Sequence, residues 1–192
     1  KNKKIYCLND KTNELERMML KKDSFDKYFS YEFRQNLYSN FKLVNKSTPI
    51  YFNKDTINIA IHIRRGDITP KNFSHAYFYN KIFIEMIKNL KNKYDNPNIH
   101  VFACKDSYEG WDDFKSLSVT LHLRENDDQK NILIDIHHFI EADVLVIGGT
   151  FSYVPAFLNL NTVYFPNGFW HSPLKHWISY NSGEKKKVKH GI

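Results

Sequence analysis

The stretch Ile57-Asn58-Ile59-Ala60-Ile61-His62-Ile63-Arg64-Arg65-Gly66-Asp67 decides how the rest of the chain is read. Its first seven residues alternate and are rich in β-branched side chains, which predicts a strand. Two arginines close the strand, and Gly66 marks a turn. Adjacent residues on a strand point to opposite faces, so one arginine can reach a ligand while the other pairs inward. Arginine offers a rigid fork of donors that grips phosphate oxygens two at a time. Asp67 could pair with one of the two and hold its fork in place. The plain alternative is a surface salt-bridge cluster at a strand end.

Downstream, Tyr79, Ile82, Phe83, Met86, Ile87 and Leu90 follow helical spacing, and strands are expected over 98–103 and 118–123. Ile132, Leu133, Ile136, Phe139 and Ile140 form a further helical face. The run 143–147 is apolar and short, of the buried-strand type, 152–158 reads as a helix with Pro155 in its first turn, and 162–165 is a last strand. Strands alternating with helices predict an α/β fold, a Rossmann-like parallel sheet with flanking helices. Ligands of such sheets bind outside the carboxyl ends of the strands. The segments to inspect are therefore 64–67, 104–107, 124–128 and 148–152.

Upstream, the first 56 residues read as a short helical, charged region. Leu15, Met18, Met19 and Leu20 share one side of a candidate helix. Phe25, Tyr28, Phe29, Phe33 and Leu37 share a side of the next, and Pro49 closes the region. The expected organisation is a helical region over 1–56, the sheet domain over 57–180 and a basic tail over 181–192.

Composition agrees with one ordinary domain. The chain has 192 residues, of which 42% are hydrophobic and 16% aromatic, enough to build a core. Lys and Arg outnumber Asp and Glu by 28 to 21, a net charge of +7 that suits an anionic ligand without choosing among nucleotide, nucleic acid and membrane surface. No run of about 18 apolar residues offers a membrane span. The Lys-Asn-Lys-Lys start leads into nothing like a signal-peptide core. A trimmed anchor and the compartment stay open on composition alone. Cys7 and Cys104 form no metal-binding spacing. The sequons at Asn45 and Asn72 say little in a chain so rich in Asn.

Two further constellations lie on the expected rim. In Gly148-Gly149-Thr150-Phe151-Ser152, glycines permit close backbone approach, and a helix start offers N–H groups and hydroxyls to an anion. The alternative is an ordinary cap with a tight turn. In His122-Leu123-Arg124-Glu125-Asn126-Asp127-Asp128, a carboxylate either caps the next helix or reads a base or ribose. His137 and His138 read as structural or surface residues. Phe169-Trp170-His171, continued by Trp177, is either a lid or a packed strap.

His62-Ile63-Arg64-Arg65-Gly66-Asp67 resembles the H-x-R-R-x-D signature of α1,2-, α1,6- and O-fucosyltransferases. Ala142-Asp143-Val144-Leu145-Val146 with Thr150-Phe151-Ser152 resembles the later motif of those families, in the same order and at a fitting separation. The resemblance spans roughly residues 57–165. It implies the donor domain of a GT-B-type glycosyltransferase and metal-independent, inverting transfer of fucose from GDP-fucose to a glycan or other hydroxyl acceptor. It implies no cofactor beyond the donor substrate and no metal. It casts Arg64 or Arg65 as the cation that stabilises the departing diphosphate, Asp67 as its support, His62 at the nucleotide and Ser152 at the phosphates. His122, Arg124, Asp127, Thr150 and Phe151 complete the expected donor-binding set. The region before Ile57 is too short for the second Rossmann-like domain that complete GT-B enzymes carry. The alternatives are a glycosyltransferase using another nucleotide sugar and a non-catalytic nucleotide- or anion-binding module. The aromatic residues follow core periodicity rather than interleaving with basic ones, so nucleic acid is not expected as a partner.

Overall fold

A computed structural model describes residues 25–45, 48–74, 76–125, 129–169 and 171–181. Its elements are α1 (Phe25–Tyr28), α2 (Tyr31–Val44), β1 (Asn58–Ile63), α3 (Asn80–Lys93), β2 (Asn98–Cys104), a 3₁₀ segment (Asp112–Leu117), β3 (Thr120–Arg124), α4 (Gln129–Glu141), β4 (Val144–Val146), α5 (Thr150–Ala156), β5 (Thr162–Pro166) and β6 (Ile178–Tyr180). The six strands form one sheet in the order β3-β2-β1-β4-β5-β6, with every pair parallel. The predicted α/β class is the observed one.

The strand order explains why β1 reads as it does. It lies in the middle, paired to β2 on one side and β4 on the other. All six of its residues are buried. Ile59, Ile61 and Ile63 face a core shared with Phe83, Ile87 and Leu90 of α3 and Val101 of β2. Ala60 faces the opposite core, with Phe102, Phe139 of α4, Leu145 and Tyr153 of α5. A strand covered on both faces favours a near-continuous apolar run. His62 is the polar exception near its carboxyl end.

Three expectations about helices change. The face expected across residues 25–37 is broken at Ser30, whose hydroxyl accepts from the Phe33 N–H and caps α2. Tyr28 and Phe33 are exposed, and the buried residue of α2 is Arg34. Its guanidinium donates to the carbonyls of Phe157 (2.8 Å) and Asn159, tying α2 to the end of α5. On α4, Ile132 and Leu133 are exposed, whereas Asp135, His137 and His138 are buried with Phe139 and Ile140. Apolar periodicity misjudged that face because its partners are polar: His138 accepts from the Tyr51 N–H, and Asp135 holds Arg124. The 3₁₀ segment and β6 were not expected. The helix expected around residues 15–20, Cys7 and the basic tail lie outside the described residues.

Residues before β1 pack on the sheet unit directly. The Phe29 and Phe157 rings stack at 4.4 Å, and Lys42 and Tyr38 both reach Glu141. No described helix is long and apolar enough to cross a membrane.

Candidate functional site

In a parallel sheet of this order, the chain leaves β1 toward one side and β4 toward the other. The carboxyl ends of these two strands therefore part and leave a crevice. Both motifs singled out in the sequence meet there. A Cβ on Gly148 would stand 1.8 Å from the His62 carbonyl oxygen, and one on Gly149 would stand 3.0 Å from Arg64 Cβ and 3.3 Å from His62 Cε1. The paired glycines let the β4–α5 turn lie directly against the end of β1.

A cavity of about 340 Å³ opens at this point, lined by Arg64, Ile68, Ala76, Gly149, Thr150, Phe151 and Phe169. Arg64 is its one charged group among the described residues. The Arg64 guanidinium is 41% exposed and ion-paired to Asp67, itself 64% exposed. So open a pair contributes at most about 1 kcal/mol to stability, and an incoming anion can displace it easily. The loop behind Asp67 is braced by Asn72, whose amide donates to the Asp67 carbonyl (2.6 Å) and accepts from the Thr69 N–H (2.7 Å).

Arg65 points the other way and is 1% exposed. Its guanidinium donates to Ser107 Oγ (3.1 Å), the Arg64 carbonyl (2.8 Å), the Phe78 carbonyl (3.0 Å) and Asn80 Oδ1. It also lies 4.4 Å from the Tyr77 ring centroid and 3.6 Å from Glu109. Such a group braces loops and has little reach for a ligand. The arginine pair divides as strand geometry predicts: Arg64 faces the cavity, and Arg65 holds the frame.

Ser152 is fully buried, and its hydroxyl is engaged within the protein. Its Oγ lies 2.8 Å from His62 Nδ1, donates to the Gly149 carbonyl (3.0 Å) and accepts from the Gly148 N–H (3.3 Å). A hydroxyl has one proton and two lone pairs. If its proton goes to Gly149, His62 must donate from Nδ1, which leaves Nε2 as an acceptor. Burial first, then the charges of Arg64 and Arg65, hold the His62 imidazole down at about 3, so it is neutral at physiological pH. Ser152 thus locks the β4–α5 turn to His62, whereas exposed Thr150 lines the cavity itself.

The remaining expected residues lie farther along the rim. His122 is buried between the Tyr51 ring (4.1 Å) and the Phe102 ring (4.6 Å) and hydrogen-bonds to His100 (2.9 Å). Arg124, at the end of β3, is clamped by Asp135 at 2.7 Å. Asp127 lies outside the described residues, as does Trp170. Phe169 lines the cavity and so belongs to the site, whereas Trp177 is packed in the core. Sequence reasoning missed Ile68, Ala76, Tyr77 and Glu109. They sit in irregular loops, where no periodicity flags them.

A larger hollow of about 680 Å³ opens at the other end of the sheet, lined by Asn53, Lys54, Asp55, Asp95, Glu141 and Asp143 among others. Its carboxylates repel a phosphate, so size does not make it the better candidate. Among the described residues, no group of three His, Cys, Asp or Glu side chains could hold a metal ion. No protein-family model, curated protein or solved structure matches the chain.

Proposed function

We propose that this chain binds a nucleotide sugar through its diphosphate at the β1–β4 crevice and serves as the donor-binding part of a glycosyltransferase, with GDP-fucose as donor. The observation that carries the reading is the placement of Arg64: a solvent-exposed guanidinium beside the Gly149 turn, in a cavity at the point where the strand order reverses. The choice of fucose and of GDP rests on the resemblance of residues 62–67 and 142–152 to fucosyltransferase motifs.

The chemistry follows from the charges. When the acceptor oxygen bonds to the anomeric carbon, the sugar–oxygen bond to the donor breaks, negative charge grows on the diphosphate, and the hydroxyl proton passes to water or to the departing diphosphate. A fixed cation aimed at that oxygen stabilises the transition state, the task a metal performs elsewhere. Arg64 supplies the cation, Asp67 poises it, and Arg65 fixes the backbone from which it projects. Attack opposite the leaving group inverts the anomeric centre.

Thermal melting tests the reading. GDP and GDP-fucose should raise the melting temperature more than UDP or ADP, since a ligand at 100 times its Kd stabilises by about 2.7 kcal/mol. Arg64→Ala should abolish the shift. No response to millimolar GDP would overturn the proposal, and an equal response to UDP would leave the glycosyltransferase but remove the fucose donor.

A further inference from the structure

Glu109 is a loop carboxylate held through one of its two oxygens. Its Oε2 accepts from the Tyr77 hydroxyl (2.9 Å) and from the Asn80 N–H at the start of α3 (2.8 Å), with the Arg65 guanidinium at 3.6 Å. Its Oε1 has no hydrogen-bond partner among the described residues, and the side chain is 22% exposed. One oxygen is fixed, and the other reaches solvent.

Two open aromatic rings pack against Tyr77, the residue whose hydroxyl holds Glu109. Tyr79 is 44% exposed and Tyr108 is 58% exposed. Both stand nearly perpendicular to the buried Tyr77 ring, at 5.3 Å and 6.4 Å. Lys81 reaches toward the Tyr79 ring at 6.0 Å and adds a donor. The rings and the carboxylate belong to the loops that follow β1 and β2, which are joined by the Gly66 N–H on the Asp106 carbonyl (3.0 Å). The first of these loops also lines the Arg64 cavity through Ile68 and Ala76.

We infer that Tyr79, Tyr108 and Glu109 form a carbohydrate-binding patch on the loops that follow β1 and β2. A neutral sugar has an apolar C–H face that lies on an aromatic ring and hydroxyls that donate to a carboxylate. Rigid tyrosines supply such contact area at low entropic cost. A cationic ligand fits less well, because Arg65 already balances the Glu109 charge. Calling the bound sugar an acceptor rests on the glycosyltransferase reading above; the binding itself does not.

Saturation-transfer NMR on the full chain tests this, with N-acetyllactosamine and chitobiose as probes at millimolar concentration. Transfer should reach the ring C–H protons. Tyr108→Ala and Tyr79→Ala should each weaken binding about two- to tenfold, the range that one aromatic contact supports, with the melting temperature and its GDP shift unchanged. Absence of transfer to either sugar, or transfer undiminished in the double variant, overturns the inference. GDP-dependent melting without sugar binding leaves the donor site standing and removes the patch. Sugar binding without a GDP response does the reverse.

Discussion

A methyl group on Gly148 would lie 1.8 Å from the carbonyl oxygen of His62. The obstacle is backbone at the end of the central strand, which cannot swing aside as a side chain can. Gly148→Ala should destabilise the fold by at least about 3 kcal/mol, read as a fall in the urea midpoint. Gly149→Ala meets the Arg64 stem instead. It should cost less stability and disturb nucleotide response more. Equal stability losses in the two variants would contradict this assignment.

Replacing the two neighbouring arginines should have opposite consequences. Arg64→Ala removes an exposed ion pair and should change stability by no more than about 1 kcal/mol, while losing any GDP-dependent melting shift. Arg65→Ala leaves Glu109 without its buried cation and should cost about 3–5 kcal/mol. Arg65→Lys should not rescue, because an ammonium cannot span Ser107, Phe78 and Asn80 together. A stable Arg65→Ala protein would remove the framing role.

Acid should weaken the protein well above the range where carboxylates titrate. Burial holds His62 and His122 at about 3 and His138 at about 4, so all three are neutral in the folded state. Unfolded, each takes a proton near pH 6.5. Stability is therefore full above that pH and falls as pH drops toward the folded values. At pH 5 each should account for a loss of about 2 kcal/mol relative to pH 7. His122→Phe, which keeps the stack with Tyr51 and Phe102, should shrink the loss by about that amount. Denaturation midpoints that stay level from pH 7 to 5 would refute the account.

Cys104 lies on the same carboxyl-end rim of the sheet. It ends β2, one strand from Arg64, and burial pushes its thiol up. Alkylation should be slow at pH 7 and faster in alkali. In a Cys7→Ser background, GDP should slow it several-fold by covering the rim. A rate indifferent to GDP would place the nucleotide elsewhere.

The order of elements was readable because β1, β2, β4 and β5 carry continuous or alternating apolar runs, and α3 carries a clean helical face. The burial side of α2 and α4 was not. Their docking depends on Arg34, Asp135 and His138, polar groups that become core residues only when partners distant in sequence satisfy them. At the site, the two motifs were legible as separate strings, but their contact was not. That Ser152 serves His62 rather than the cavity follows from a meeting of β1 with the β4–α5 turn that no local pattern encodes. Glu109 was invisible for the same reason: its partners Arg65, Tyr77 and Asn80 come from the loop after β1 and the start of α3.

The position of β1 between β2 and β4 also bears on how the molecule assembles. Ile61 pairs with Val101 on one side and Val146 on the other, the second at about twice the chain distance of the first. Closing the longer loop costs more chain entropy, so the β3-β2-β1 half can assemble ahead of the pairing that creates the crevice. A nucleotide spanning Arg64 and Gly149 would clasp the junction that closes last and opens first. Its kinetic signature would then be a brake on unfolding, with the rate of folding left nearly untouched.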